Sequence, residues 1–105
     1  VLMTYAITKK FPTEEQFGLT SQIRRSAVSI TSNIAEGFSR RSYKDKGHFY
    51  SMAQGSVTEL QNQLLVSKDV GLIQESGFDK IVEQTIAVHK ILGGLFRKSV
   101  ALHNS

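Results

Sequence analysis

The chain has 105 residues, of which 40% are hydrophobic and 21% are charged, the composition of one globular domain rather than of a disordered segment. It contains no cysteine, which excludes disulfides, thiol nucleophiles and thiolate metal sites and fits a reducing compartment. Its apolar runs are too short to span a bilayer and no signal-like N-terminus is visible, so we expect a cytoplasmic protein without a membrane partner. The formal net charge of +4 favours an anionic partner.

Helices are predicted along the whole chain, because it has a single proline and no alternating strand pattern. The first predicted helix covers residues 1–11 and ends before Pro12, which forces the residue before it out of helical geometry. Residues 13–17 then form a connection. The second predicted helix covers residues 19–36 and is expected to end at Gly37. Its apolar side chains recur every three or four residues, as a buried seam does, at Leu19, Ile23, Ala27, Ile30 and Ile34.

The third predicted helix begins behind Ser42, whose side chain can cap it while Asp45 occupies the acidic position of a capping box. It is expected to end at Gly71, since glycine accepts the left-handed conformation that often follows a helix. The seam of this helix consists of Tyr50, Ala53, Val57, Leu60 and Leu64.

The fourth predicted helix begins at Ser76 or Asp79 and continues to about Leu102. Its seam consists of Phe78, Ile81, Thr85, Val88, Leu92, Leu95 and Ser99. Spacings near ~3.5 residues in three helices indicate shallow crossing angles. We therefore predict an all-α, up-down antiparallel four-helix bundle that forms a single domain over residues 1–105.

The first predicted helix is much shorter than the others. At about 1.5 Å per residue, its roughly eleven residues cover less than half the height of a bundle whose third helix has nearly thirty. Because the sequence also begins with Val1 rather than with methionine, we expect the first helix to be truncated at its N-terminus.

The fourth predicted helix is apolar over an arc of about 220°, which is more than a bundle helix needs. Two interpretations remain open. In the first, this helix is central in the bundle or covers the seam that the short first helix leaves. In the second, the surplus is an interface between copies of the chain, where Gly93 and Gly94 would allow close backbone approach.

Small polar residues are frequent on the second and third helices, in the stretches SAVSITSN and AQGSVTE. Small side chains let helices approach closely, and Ser and Asn can bond to a neighbouring backbone, so we predict tight, partly polar packing. A neutral surface helix is the alternative. The candidate structural and interface residues are Arg24, Arg25, Asn33, Glu36, Gly37, Gly55, Ser56 and Glu59. Of these, Asn33 and Glu36 are expected to fix helix register. Arg24 and Arg25 are expected to pair with Glu36 or Glu59 within an assembly of the chain.

The stretch GLTSQIRRSAVSITSNIAEGFSRRS closely resembles the signature of small bacterial four-helix-bundle proteins encoded in intervening sequences of the large-subunit ribosomal RNA gene. AQGSVTELQNQL is similar to the second motif of that family. The resemblance implies an up-down bundle that assembles as a homopentamer around a central channel. It also implies a likeness in shape to the accessory protein of diversity-generating retroelements, which binds RNA and a reverse transcriptase. Thr31 departs from a frequent proline, and Gly47 and His48 interrupt a basic stripe on the third helix.

Basic residues cluster across the turn between the second and third helices, at Arg40, Arg41, Lys44 and Lys46. Such a cluster can neutralise phosphates, and guanidinium groups bind them bidentately. Tyr43, Phe49 and Tyr50 are interleaved with the cluster and would stack on bases if their rings are exposed. We therefore predict a nucleic-acid-binding site here. The alternative is a solvated basic loop.

No catalytic constellation is visible in the sequence. A di-iron bundle needs Glu-x-x-His pairs, a phosphate loop needs a Gly-rich turn after a strand, and many hydrolases carry a Gly-x-Ser-x-Gly elbow; the sequence has none of them. We therefore expect no enzyme activity, metal or cofactor. The prediction is a homo-oligomer, pentameric by resemblance, that binds RNA or another polyanion. The alternative is a structural or adaptor ring that recruits a protein partner without binding nucleic acid.

Overall fold

The computed structural model describes residues 1–15 and 18–105 as a bundle of four α-helices with one short 3-10 turn, and these residues contain no strand. The predicted four-helix bundle is therefore confirmed. The predicted connection over residues 13–17 begins with the 3-10 turn, while residues 16 and 17 lie outside the described residues. In the described part of the chain, no helix combines the length and apolarity that a membrane span requires. The elements are α1 (Leu2–Thr8), the 3-10 turn (Thr13–Glu15), α2 (Leu19–Ser39), α3 (Tyr43–Asp69) and α4 (Glu75–His103).

The central element of the bundle is α3, which packs along both α2 and α4. All five residues of its predicted seam are at most 4% exposed, from Tyr50 to Leu64. Ile23 of α2 and Leu92 of α4 are completely buried against the same seam. The side chains form one contiguous core in a molecule that extends 50 × 23 × 18 Å.

The wide apolar arc of α4 is not explained by a central position, because α3 holds that place. α4 begins one residue before the predicted Ser76 and ends at His103. Within this chain, several of its apolar side chains remain 37–64% exposed, namely Ile86, Ile91, Val100 and Leu102. This part of the apolar surface of α4 is thus left exposed by the described chain.

The first helix is shorter than predicted, since it spans Leu2–Thr8 rather than residues 1–11. Beyond it the backbone tightens, because the N–H groups of Lys10 and Phe11 donate to carbonyl groups three residues earlier, at 3.2 and 3.0 Å. Phe11 then turns into the core, where it is 9% exposed. Pro12, which lacks a donor and fixes φ, follows directly.

α1 lies over the groove between α2 and α4 and packs on both helices. No Cα atoms of α2 and α4 approach within 8 Å in the described residues, so these two helices are joined through α3 on one side and α1 on the other. Val1, at the start of α1, borders an apolar cavity of about 160 Å³ together with Ile34 and Val88. Beyond that point the described chain leaves the groove between α2 and α4 uncovered.

The prediction that α2 ends at Gly37 is wrong, because the helix continues to Ser39. Gly37 is buried at the place where α2 meets the ring of Tyr50 on α3. A Cβ atom at position 37 would lie 2.5 Å from Cε1 of that ring, and 2.9 Å from Cδ1. Close approach of two helices within one chain, rather than a turn, therefore requires glycine here.

Both ends of α3 are fixed by local hydrogen bonds. The Ser42 Oγ accepts a hydrogen bond of 3.1 Å from the backbone N–H of Asp45, which confirms the predicted cap. At the other end, Gly71 has a φ of +84°, and the N–H of Leu72 donates to the carbonyl of Ser67 at 2.8 Å. This is the Schellman arrangement, so glycine ends α3 as predicted.

Candidate nucleic-acid interface

The turn between α2 and α3 brings the basic cluster to one end of the bundle. Arg40 and Arg41 lie between the last residue of α2 and the N-cap of α3, and Lys44 follows in the first turn of α3. The C-terminal half of α4 reaches the same end, because Gly47 of α3 faces Ser99 of α4. We call this region the basic end: residues 36–56 together with residues 90–105.

Positive charge is concentrated at the basic end. Its two segments contain seven Lys and Arg residues against two Asp and Glu residues, whereas the remainder of the sequence has six against seven. The formal net charge of +4 therefore originates at one end of an elongated molecule. A surface of this kind attracts polyanions and raises their local concentration.

Arg40 is already engaged by its own chain. Its guanidinium donates to the Glu36 carboxylate at 2.9 Å, one helical turn away, and both side chains are about half exposed. The same guanidinium stacks 4.7 Å from the centroid of the Phe49 ring. An exposed pair of this type is weak, so a phosphate can compete for Arg40, but only against two existing contacts.

Arg41 and Lys44 are the uncommitted cations of the cluster. Both are exposed, and neither side chain makes a hydrogen bond or ion pair to any residue in 1–15 or 18–105. Each can therefore donate to a phosphate without losing a partner. Within the basic cluster, these two residues carry the nucleic-acid hypothesis best.

Lys46 has a structural position that the sequence did not reveal. Its Nζ donates to the backbone carbonyls of Gly37 and Phe38, at 3.1 and 3.0 Å. Carbonyl groups at a helix C-terminus have no partner inside the helix, and a cation there also offsets the helix dipole. Lys46 thus joins the end of α2 to the start of α3, which leaves one of its three donors for a ligand.

The aromatic side chains near the cluster divide into buried and exposed groups. Tyr50 is 4% exposed and part of the core, so the exposed ring that stacking on a base requires is not present at this position. Its burial raises the pKa of the phenol above 10.0. Tyr43 is 44% exposed, and Phe38, which sequence reasoning missed, is 60% exposed. Two rings within three residues of Arg41 along the chain are therefore partly exposed to solvent.

Arg24 has other partners within this chain, and its pairing with Glu36 or Glu59 within an assembly stays a prediction. Its Nε donates to the Thr8 hydroxyl at 2.9 Å, and its guanidinium lies 4.5 Å from the centroid of the Tyr5 ring. Both partners belong to α1, so Arg24 fastens α1 to α2 within the chain. No local sequence pattern indicates this contact, because its partners are separated from Arg24 by the connection between the helices.

Small polar residues bring α2 and α3 together. The hydroxyl oxygens of Ser29 and Ser56 lie 2.8 Å apart across the two helices. The Asn33 side chain donates to the Ser29 carbonyl at 2.9 Å and to its hydroxyl at 3.2 Å. The packing of these helices is therefore tight and partly polar, as the serine-rich stretch predicts. Ser56 bonds across the two helices of one chain, whereas Asn33 bonds within α2 to the serine that makes that contact.

Three of the candidate interface residues face outward. Arg25 and Glu59 are exposed and border the same shallow polar groove between α2 and α3, alongside Ser56. Gly55 is also exposed, and a Cβ atom at its position would meet nothing within 4 Å. Neither Arg25 nor Glu59 has an ion-pair partner among the described residues. Both side chains therefore remain available for the predicted contact with a second copy, which stays a prediction.

The comparisons with known proteins give a family. A search of the curated proteins found no match to this chain. The family model described as 23S rRNA-intervening sequence protein matches residues 1–94, which span α1, α2, α3 and most of α4. That match confirms the resemblance carried by the serine-rich stretch of α2 and the second motif on α3. The chain belongs to the 23S rRNA-intervening sequence protein family.

Proposed function

We propose that the protein is a cytoplasmic, non-enzymatic helical bundle that assembles with copies of itself and binds RNA or another polyanion through the basic end. The single observation that carries the proposal is the placement of the whole excess of positive charge at one end of the bundle. Arg41 and Lys44 are exposed there without intramolecular partners among the described residues. Binding of this type is electrostatic and therefore weakens as salt increases.

Self-assembly is supported by the apolar surface that one chain leaves uncovered. Ile91 of α4 is 64% exposed and Ile86 is 45% exposed. At about 25 cal/mol per Å², hiding such side chains between copies is favourable. Assembly would repeat the basic end once per copy, and several weak contacts to one RNA strand would then add up through avidity. The number five follows from the family resemblance and is part of the proposal.

The test compares two double variants with the same charge change. Arg41→Gln with Lys44→Gln removes two cations from the basic end, and Lys9→Gln with Lys10→Gln removes two exposed cations elsewhere. Binding of a fluorescent single-stranded RNA would be measured by anisotropy from about 50 to 200 mM salt. Light scattering on a size-exclusion column would give the mass of every variant.

The basic-end variant should bind more weakly and lose about 0.7 units of salt slope for each phosphate contact removed, with an unchanged mass. The control should keep both the affinity and the slope of the original protein. Equal losses in the two variants would mean that binding is diffuse and that the basic end is not the site. If the original protein retains no RNA while it still assembles, the adaptor alternative replaces the proposal.

A further inference from the structure

A cleft of about 330 Å³ opens at the basic end, between the first turns of α3 and the last turns of α4. It opens to the outer surfaces of these helices, where Lys44, His48 and His103 are exposed, while Gly47 and Ser99 in its lining are buried. Phe96 in its lining packs against the core. The residues that define its chemistry are Tyr43, Lys44, Gly47, His48, Phe96 and His103.

Planar rings dominate the walls of the cleft. Tyr43 and His48 contribute rings from α3, and Phe96 and His103 contribute rings from α4. The floor is low because Gly47 has no side chain at the point where α3 meets α4. Flat apolar ligands bind well between rings, and nucleobases stack on aromatic side chains whatever their sequence. The shape and the ring content of the cleft therefore suit a base.

The polar groups of the cleft suit an anion. Lys44 provides an ammonium group at the rim, and the imidazoles of His48 and His103 provide ring nitrogens that can donate hydrogen bonds. No carboxylate borders the cleft among the described residues. The nearest acidic residue along α3, Asp45, is exposed outside the cleft, with its backbone N–H bound to the cap of the helix. A planar ligand that carries a phosphate meets both the rings and the donors.

We propose that this cleft holds one nucleotide of single-stranded RNA, with its base between Tyr43 and Phe96 and its phosphate on Lys44. The inference rests on the proposed RNA binding and specifies which form of RNA is bound. In a duplex the bases are already stacked and paired, so they cannot enter the cleft. The protein therefore prefers single strands, and the remaining cations of the basic end contact the neighbouring phosphates.

The test uses adenosine monophosphate as a probe and the backbone amides as reporters. Ser51 lies on the cleft wall and is exposed, so Ser51→Phe fills the cleft without a change of charge and at little cost in helix propensity. Ser76→Phe, at an exposed position in the first turn of α4, is the matched control at the opposite end of the bundle. Circular dichroism would verify that both variants fold.

In ¹H–¹⁵N spectra, adenosine monophosphate should shift the amides of Gly47, Ser99 and Val100, and Ser51→Phe should weaken this binding by about tenfold or more. Ser76→Phe should behave as the original protein does. Adenosine, which lacks the phosphate, should bind more weakly, and Lys44→Gln should abolish that difference. An absence of shifts at these three amides in the original protein would overturn the inference.

Two variants separate this inference from the proposed function. Arg41 does not line the cleft, so Arg41→Gln should weaken the binding of long RNA and leave the nucleotide shifts intact. Ser51→Phe should abolish the preference for single-stranded over double-stranded RNA and retain a salt-dependent affinity for both. If the original protein binds both forms equally, the cleft does not receive a base, although the basic end still binds RNA. If the nucleotide binds and long RNA does not, the cleft is a nucleotide site and the proposed function fails.

Discussion

The sharpest test of the packing concerns Gly37 and Tyr50. Gly37→Ala would place a Cβ atom 2.5 Å from Cε1 and 2.9 Å from Cδ1 of the Tyr50 ring, whereas carbon atoms prefer separations of about 3.5–4.0 Å. The ring or the helix must therefore move by about 1 Å. Because Tyr50 is 4% exposed and packs edge-on against Phe38 at 6.0 Å, the ring has little space to turn aside.

The expected magnitude follows from two opposing terms. Overpacking of this kind costs about 1–3 kcal/mol, and the lack of space around Tyr50 favours the upper half of that range. Replacing glycine by alanine inside a helix returns about 1 kcal/mol. We expect Gly37→Ala to lower the free energy of unfolding by about 1–2 kcal/mol, which lowers the melting temperature by roughly 5–15 °C for a domain of this size.

Two controls isolate the steric term. Gly55→Ala lies in α3 with nothing within 4 Å of its new Cβ atom, so it should stabilise the fold by about 0.5–1 kcal/mol. In a Tyr50→Leu background the ring is absent, and Gly37→Ala should then cost nothing or stabilise the fold. Urea unfolding of the four proteins of this cycle, at equal concentration, gives the coupling energy. A Gly37→Ala protein as stable as the original, or a loss that persists in the Tyr50→Leu background, would refute the reasoning.

Three further predictions concern the ends of the helices and the core tyrosine. Ser42→Ala removes the acceptor for the Asp45 N–H and should cost about 1 kcal/mol in urea unfolding, which Ser42→Asp should largely restore. Lys46→Met keeps the alkyl stem but loses both bonds to the end of α2, so it should cost about 1–3 kcal/mol, and an unchanged urea midpoint would deny Lys46 this role. Burial raises the pKa of Tyr50 above 10.0, so the folded state keeps a proton that the unfolded chain loses. The contribution of the Tyr50 phenol to the free energy of unfolding is fully present below about pH 10 and decreases as the pH rises above that value. Tyr50→Phe should therefore unfold with a weaker alkaline dependence than the original protein, and equal slopes for the two would contradict the sign of the shift.

Local patterns predicted the parts of the fold that depend on local physics. The seam of α3 follows from apolar residues at helical spacing, and all five of its residues, the first Tyr50 and the last Leu64, are buried. The Ser42 cap and the Gly71 turn depend on hydrogen bonds within a few residues, so their signals are contained in short stretches of sequence. The boundary of α1 was wrong because the i to i−3 bonds after Thr8 tighten a backbone that the apolar pattern alone would extend.

Contacts between distant segments could not be predicted in the same way. A glycine after a helical pattern usually marks a helix end, and only the position of Tyr50 on a neighbouring helix shows that Gly37 is a point of close approach. Lys46 appeared as one more cation of a basic cluster, although it reaches back to carbonyls of α2. Within this chain, Arg24 likewise contacts Thr8 and Tyr5 of α1. These contacts depend on where the short first helix lies, which a local pattern does not reveal.

The location of the charge does not favour stability, and the proposed binding of a polyanion would account for it. The basic end occupies one half of the elongated bundle. Clustered like charges repel one another there. Glu36 offsets only Arg40, while Arg41 and Lys44 remain without an acidic partner in the described chain. Local choices that conflict with stability are expected at functional sites, and a bound polyanion would neutralise these cations and stabilise the same half.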